Sequence, residues 1–239
     1  MNADTLKKCA ESALDCGARV VSFEFKNKLY WAKQKKERGL ILRMHKGSAT
    51  QLFQQEISNL KGFAEAGMRV PPLVFENEKY FVTEDIGKSL EEKIRTSDDY
   101  SNLIKQAAAG VADLHSSGLA HGGLHMRNMT VHTQNVGFLD LENACIAEAS
   151  ITSQAYDLIV FVWSTFSIDL GAAPMLVKAR NRYLSKGGSA WPEAVKWCEN
   201  RAWFRPASAP LRWHERRYKK ECRYQRYAAV PLVLDFFTG

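Results

Sequence analysis

The spacing of apolar residues changes character twice along the chain. Leu6, Cys9, Ala10, Ala13 and Leu14 recur at helical intervals, and Gly17 follows as a stop. Val20 to Phe25 then alternates as a strand does. Lys26-Asn27-Lys28 marks a turn, and Leu29 to Lys33 predicts a second strand. Ile41 to Met44 predicts another. Ser48, with Gln51 three residues on, has the form of a capping box opening a helix. Leu52, Glu56, Leu60 and Phe63 fall on one face of that helix, and Pro71-Pro72 ends the connection after it. Leu73 to Phe75 and Tyr80 to Thr83 predict strands on either side of the turn Glu76-Asn77-Glu78. Strands with a helix among them make an α+β lobe.

After Asp85-Ile86-Gly87 the pattern becomes helical. Leu103, Ile104, Ala107, Ala108, Val111 and Leu114 predict a well-packed helix that stops at Ser116-Ser117-Gly118. Two short β-like pieces, Met129 to Val131 and Val136 to Leu139, precede a largely buried helix over Ala155 to Ser167. The remainder reads as mostly helical and is rich in Trp, Tyr and Arg. The boundary falls near Glu84 to Gly87, giving an N-terminal part, 1–85, and a C-terminal part, 86–239.

Composition narrows the classes. The 239 residues are 46% apolar and 25% charged, a globular mix that excludes disorder. The longest apolar runs, Leu158 to Trp163 and Ala228 to Leu234, fall far short of the roughly 18 residues that span a bilayer. The polar, acidic opening Met1-Asn2-Ala3-Asp4 predicts no secretory signal. Cys9, Cys16, Cys145, Cys198 and Cys222 are odd in number and form no C-x-x-C pair. Neither a zinc site nor a disulfide frame is indicated, and a reduced cytoplasmic setting is expected. The net charge of +7 is local: Arg201 to Arg226 holds nine Lys/Arg and two Glu, which accounts for the whole excess. An anionic partner near this segment is expected, either a phosphorylated glycolipid or an anionic membrane leaflet. Nucleic acid ranks last, because no nucleic-acid-binding motif is present. The bland alternative is a solvated helix face.

The candidate chemistry lies in His121-Gly122-Gly123-Leu124-His125-Met126-Arg127-Asn128 and in Asp140, twelve residues after Asn128. An amide oxygen ending a loop and a carboxylate on the following hairpin are a metal-ligand pair suited to phosphoryl transfer. Lys33 ends a predicted strand. Glu56 sits on the apolar stripe of its helix between Leu52 and Leu60, where a charge is expensive unless paired. The pair Lys33–Glu56 answers that need, and a structural salt bridge is the alternative. Asp157 follows Asp140 by 17 residues, and on its residues alone it reads as a carboxylate favoured by a helix N-terminus.

The order of these features resembles the protein-kinase-like superfamily over roughly residues 18 to 165. It runs strand Lys33, inward Glu56, hinge, Leu114-His115-x-x-Gly118, His121-Gly122-x-Leu124-His125-x-x-Asn128, then Asp140. Tyr30-Trp31-Ala32-Lys33, the bare H-G-x-L-H spelling and the basic tail resemble lipopolysaccharide core (heptose/Kdo) kinases most. The resemblance implies a two-lobed fold with a small β-rich N-lobe and a helical C-lobe. The short interval from Asp140 to Asp157 implies a short activation segment. It further implies ATP and Mg²⁺ as cofactors, with Lys33 on the α- and β-phosphates and Glu56 as its partner. The backbone of Glu84 and Ile86 would hold adenine, Asn128 and Asp140 the metal. His125 would lie near the transferred phosphate, and Asp157 would brace the loop. The implied acceptor is a lipopolysaccharide core sugar or other phosphorylated glycolipid, met by a cytoplasmic protein peripheral on the inner membrane.

Two departures stand out. Gly123 occupies the position of the usual catalytic aspartate. Three readings follow: compensation by another residue such as His125, a pseudokinase serving as a nucleotide-binding or scaffold module, or an inactivated variant of an active kinase. The G-x-G-x-x-G phosphate loop is also missing, since only Gly17 precedes Lys33. The turn Lys26-Asn27-Lys28 would then have to cover the nucleotide.

Overall fold

The computed structural model describes residues 3–35, 49–133, 135–201 and 222–239. The predicted strand at Ile41 to Met44, the capping Ser48 and residues 202–221 of the basic segment Arg201 to Arg226 lie outside the described residues. The chain divides into two compact units. One comprises Met1–Gly87 with Leu139–Glu142, the other Lys88–Phe138 with Asn143–Gly239.

The first unit holds α1 (Ala3–Leu14), β1 (Val20–Phe25), β2 (Lys28–Gln34), α2 (Ala49–Glu65), β3 (Leu73–Glu76) and β4 (Tyr80–Glu84). The strands form an antiparallel sheet in the order β1-β2-β4-β3. Side chains alternate across a strand, so each face receives its own helix. Tyr30 and Ala32 of β2 share a core with Tyr80 and Val82 of β4, and Leu6, Ala10 and Leu14 of α1 close it. Phe81 points to the opposite face, where its ring lies 5.5 Å from Phe53 of α2. Burying each large apolar side chain stabilises by about 1.5–3 kcal/mol.

This topology overturns one expectation. Lys26 and Asn27 adopt left-handed backbone, with φ of 51° and 60°, the geometry of a tight two-residue hairpin. That hairpin pairs Phe25 with Lys28, whereas Lys33 pairs with Val20 at the other end of the ladder. Five residue steps at ~3.3 Å put the turn roughly 17 Å from Lys33 along the strand. It cannot cover phosphates held by Lys33. The chain beside Lys33 is the α1–β1 connection, Gly17-Ala18-Arg19. Gln34 fixes it through its backbone N–H to Arg19 O at 2.9 Å and its side-chain amide to Ala18 O at 2.7 Å.

The second unit holds α3 (Leu90–Arg95), α4 (Ser101–Ser116), a 3₁₀ turn (Met126–Asn128), the hairpin β5 (Met129–His132) and β6 (Asn135–Phe138), α5 (Ile151–Phe166), α6 (Ala173–Ser185), α7 (Trp191–Glu199) and α8 (Cys222–Thr238). The periodicity did not single out α3, but its start signal is present: Ser89 and Glu92 form a capping box. Helix α5 begins four residues before the expected Ala155, because Ser150 caps it by accepting from the Ser153 N–H. Helix α8 packs Phe237 on Trp191 of α7, ring centroids 4.8 Å apart. Among the described residues no helix is long and apolar enough to cross a membrane.

Candidate active site

In the first unit three of the expected residues meet. Lys33, next to last in β2, lies on the face that α2 covers. Its Nζ donates to Glu56 Oε1 at 2.5 Å and to Asp140 Oδ1 at 2.8 Å. Glu56 is 4% exposed, because Phe53, Ile57 and Leu60 bury the same face of α2. Burial pushes its carboxyl above the ordinary carboxylate range, and the ammonium of Lys33 opposes that rise. The Asp140 side chain stays 43% exposed. Its backbone is left-handed at φ 57°, which a short polar side chain tolerates.

Further residues complete this cluster. Glu142 pairs with Arg19 of the α1–β1 connection at 3.0 Å. Oxygens of Glu56, Asp140 and Glu142 lie within 4.8 Å of one another. The set is all oxygen, as Mg²⁺ requires. Asn59, one turn after Glu56 on α2, donates to Leu141 O at 2.7 Å and accepts from Gln55. It thereby anchors the segment that carries Asp140. Sequence reasoning passed over Arg19, Asn59 and Glu142. The available signals were a polar residue three positions after an inward glutamate and a second carboxylate two residues after Asp140.

Glu84 and Ile86 close this unit's hinge. Glu84 N–H donates to Pro72 O at 3.0 Å, and Ile86 C=O accepts from Arg69 at 2.9 Å. Asp85 between them accepts from the Trp31 indole and from Gly87 N–H, both at 2.8 Å.

The second unit carries the loop. Asp157 of α5 is fully buried and accepts from His121 N–H at 2.6 Å and Gly122 N–H at 2.9 Å. Both bonds are charge-assisted and fix the loop backbone. Behind it, His115 Nε2 lies 3.5 Å from Asp157, and His115 Nδ1 bonds the Tyr183 hydroxyl at 2.9 Å. Asn128 donates its amide to Gly123 O at 3.0 Å, which leaves its amide oxygen as the group able to ligate a cation. His125 N–H donates to Gly123 O at 2.8 Å, and its ring packs edge-on against Trp163 at 5.5 Å.

The two neighbouring glycines differ. Gly122 has φ 74°, and a Cβ there would fall 2.1 Å from Asn143 O, so no other residue fits without movement. Gly123 has ordinary backbone, and a Cβ there would meet nothing within 4 Å. The site has room for the side chain it lacks.

Residues 17–170 match the sequence profile of the lipopolysaccharide kinase (Kdo/WaaP) family. An uncharacterized protein of Haemophilus influenzae is 28% identical over 129 residues, 52% of this chain and 53% of that protein. The chain thus aligns with about half the length of that relative. Among solved structures, a divergent kinase lacking the glycine-rich loop, which regulates membrane ultrastructure of the Toxoplasma parasitophorous vacuole, is similar at 14% identity and a TM-score of 0.51. That match covers 72% of this chain and 76% of that one. WbdD, solved with a kinase inhibitor, is 15% identical with a TM-score of 0.46, over 71% of this chain and 43% of that one. The fold is the α+β, two-lobed protein-kinase-like fold.

Proposed function

Since the chain belongs to the lipopolysaccharide kinase (Kdo/WaaP) family, we propose that it transfers phosphate from ATP to a hydroxyl of a lipopolysaccharide core sugar or similar phosphorylated glycolipid. The observation that carries this reading is Lys33 held by both Glu56 and Asp140. A structural salt bridge needs only one carboxylate. A lysine gripped by a buried one and a half-exposed one is poised to exchange the second for a phosphate.

In this reading Lys33 Nζ neutralises the α- and β-phosphates, and Glu56 fixes its direction. Glu84 C=O and Ile86 N–H are the backbone groups assigned to adenine. Asp140 and the Asn128 amide oxygen are the assigned ligands of Mg²⁺, which supplies charge neutralisation for the phosphates. The α1–β1 connection, with Arg19, takes the place of the missing phosphate loop. The solved kinase that lacks a glycine-rich loop lends support, since the fold tolerates that loss. Asp157 holds the loop backbone that presents position 123 and His125.

A second reading rests on Gly123, which can neither orient nor deprotonate an acceptor hydroxyl. Catalysis without that group is slower by ~10²–10⁴, the range of general-base contributions, or the chain serves as a nucleotide-binding module. A thermal-shift titration tests the part common to both. Mg-ATP should raise the melting temperature of the wild type and not of Lys33→Met, because a ligand that binds only the native state stabilises it. No rise at millimolar nucleotide would sink the binding claim and leave the fold intact.

Action at the membrane surface is proposed from the charge of Arg201 to Arg226. Neutralising Arg216, Arg217, Lys219 and Lys220 should weaken co-sedimentation with anionic vesicles by roughly three orders of magnitude at low salt, at about 1 kcal/mol per charge. Equal, salt-insensitive binding by both proteins would refute it.

A further inference from the structure

An open pocket lies wholly within the second unit, beside the loop. Four chain segments form it: Glu91 and Arg95 from α3, His125 and Arg127 from the loop, Trp163 from the last turns of α5, and Arg226 from the second turn of α8. Its charge is distinctive. Arg95 is neutralised by Glu91, which accepts from its Nη2 at 2.8 Å and its Nε at 3.1 Å. Arg127 and Arg226 have no carboxylate partner among the described residues, so three guanidinium groups against one carboxylate leave a net charge of +2. Trp163 supplies an apolar wall. Its indole N–H donates to Arg226 O at 3.0 Å, which fixes the backbone from which the third arginine projects.

We infer that this pocket is an anion subsite that binds a phosphate monoester carried by a sugar, through Arg127 and Arg226. A phosphate monoester bears about −1.5 to −2 at neutral pH, which two unpaired guanidinium groups match and a single carboxylate does not. Their planar forks can grip its oxygens two at a time, a geometry that lysine lacks. Arg127 directly precedes Asn128 and lies two residues after His125, so a sugar anchored here has its hydroxyls beside the loop. As an acceptor subsite the inference rests on the kinase reading. As a binding site for sugar phosphate it stands without it.

The test is calorimetric titration in the absence of nucleotide. Glucose 6-phosphate, glucose and extracted lipopolysaccharide are each added to the wild type, Arg127→Gln/Arg226→Gln and Arg127→Lys/Arg226→Lys. Both arginines are exposed, so the variants keep their fold, and thermal melts confirm that. The wild type should bind glucose 6-phosphate or lipopolysaccharide saturably and ignore glucose. The Gln variant should bind at least about tenfold more weakly, from the loss of bonds to a charged group. The Lys variant should fall between. Whichever of the two ligands shows the loss identifies the source, soluble or lipid-borne. Equal binding by wild type and Gln variant, or no saturable binding of either ligand, overturns the subsite. If the subsite holds while Mg-ATP gives no thermal shift, the kinase reading fails alone. If the shift holds and the subsite does not, the inference fails alone.

Discussion

The two units keep their machinery in different currencies. The first keeps side chains: Lys33 is paired with both Glu56 and Asp140, and beside them Glu142 is paired with Arg19. The second keeps backbone. Asp157 bonds two loop amides, Gly122 fits against Asn143, and Asn128 returns to Gly123 O, yet position 123 itself carries no side chain. Groups proposed to hold nucleotide and metal are intact. What is missing is the carboxylate that the kinase resemblance assigns to the acceptor hydroxyl. Loss of a side chain without loss of its scaffold separates binding from turnover, and each half can be disturbed by itself.

The largest effect should come from removing the backbone's anchor. Asp157→Ala leaves the buried His121 and Gly122 amides without acceptors. At about 1.5–3 kcal/mol for each bond to a charged group, the unfolding free energy should fall by about 3–6 kcal/mol. Urea denaturation measures it. A loss below about 1 kcal/mol would mean that the loop holds its shape by other means.

Next come the adjacent glycines. Gly122→Ala must accept left-handed backbone and a contact with Asn143 O, and should cost about 1–3 kcal/mol. Gly123→Ala meets open space and should change stability by less than about 0.5 kcal/mol. Equal costs at the two positions would erase the contrast.

The smallest effect concerns the first unit. Burial raises the Glu56 carboxyl above its ordinary value near 4.5, so the native state binds more protons than the unfolded state above that pH. The contribution of Glu56 to stability is therefore full below pH 4.5 and declines as pH rises through the raised native value. Measured against Glu56→Gln, which cannot titrate, wild-type stability should decline from pH 4.5 toward neutrality. A difference that grows with pH would show that Lys33 outweighs burial.

Much of this was legible in the sequence because local rules carried it. An inward glutamate on an apolar stripe predicted a partner for Lys33, and the kinase resemblance placed Asp157 behind the loop, where it accepts from two loop amides. The rest depended on where distant segments go. The missing phosphate loop suggested the hairpin turn at Lys26. Only the pairing of Val20 with Lys33 shows that the α1–β1 connection stands there instead. Residues 139–142 join the first unit although 88–138 separate them from it in sequence. Arg127 and Arg226 are 99 positions apart, and no periodicity announces a pocket assembled from four segments.

Two departures mark this kinase-like scaffold, the missing phosphate loop and Gly123, and only the second bears on the acceptor. The direct measurement is ATP turnover by the wild type beside Gly123→Asp, with and without extracted lipopolysaccharide. The account predicts that aspartate, which has room at this position, raises lipopolysaccharide-dependent turnover by ~10²–10⁴ while the Mg-ATP thermal shift is unchanged. Turnover that stays absent in both proteins with every acceptor, or a variant that loses Mg-ATP binding, would contradict it.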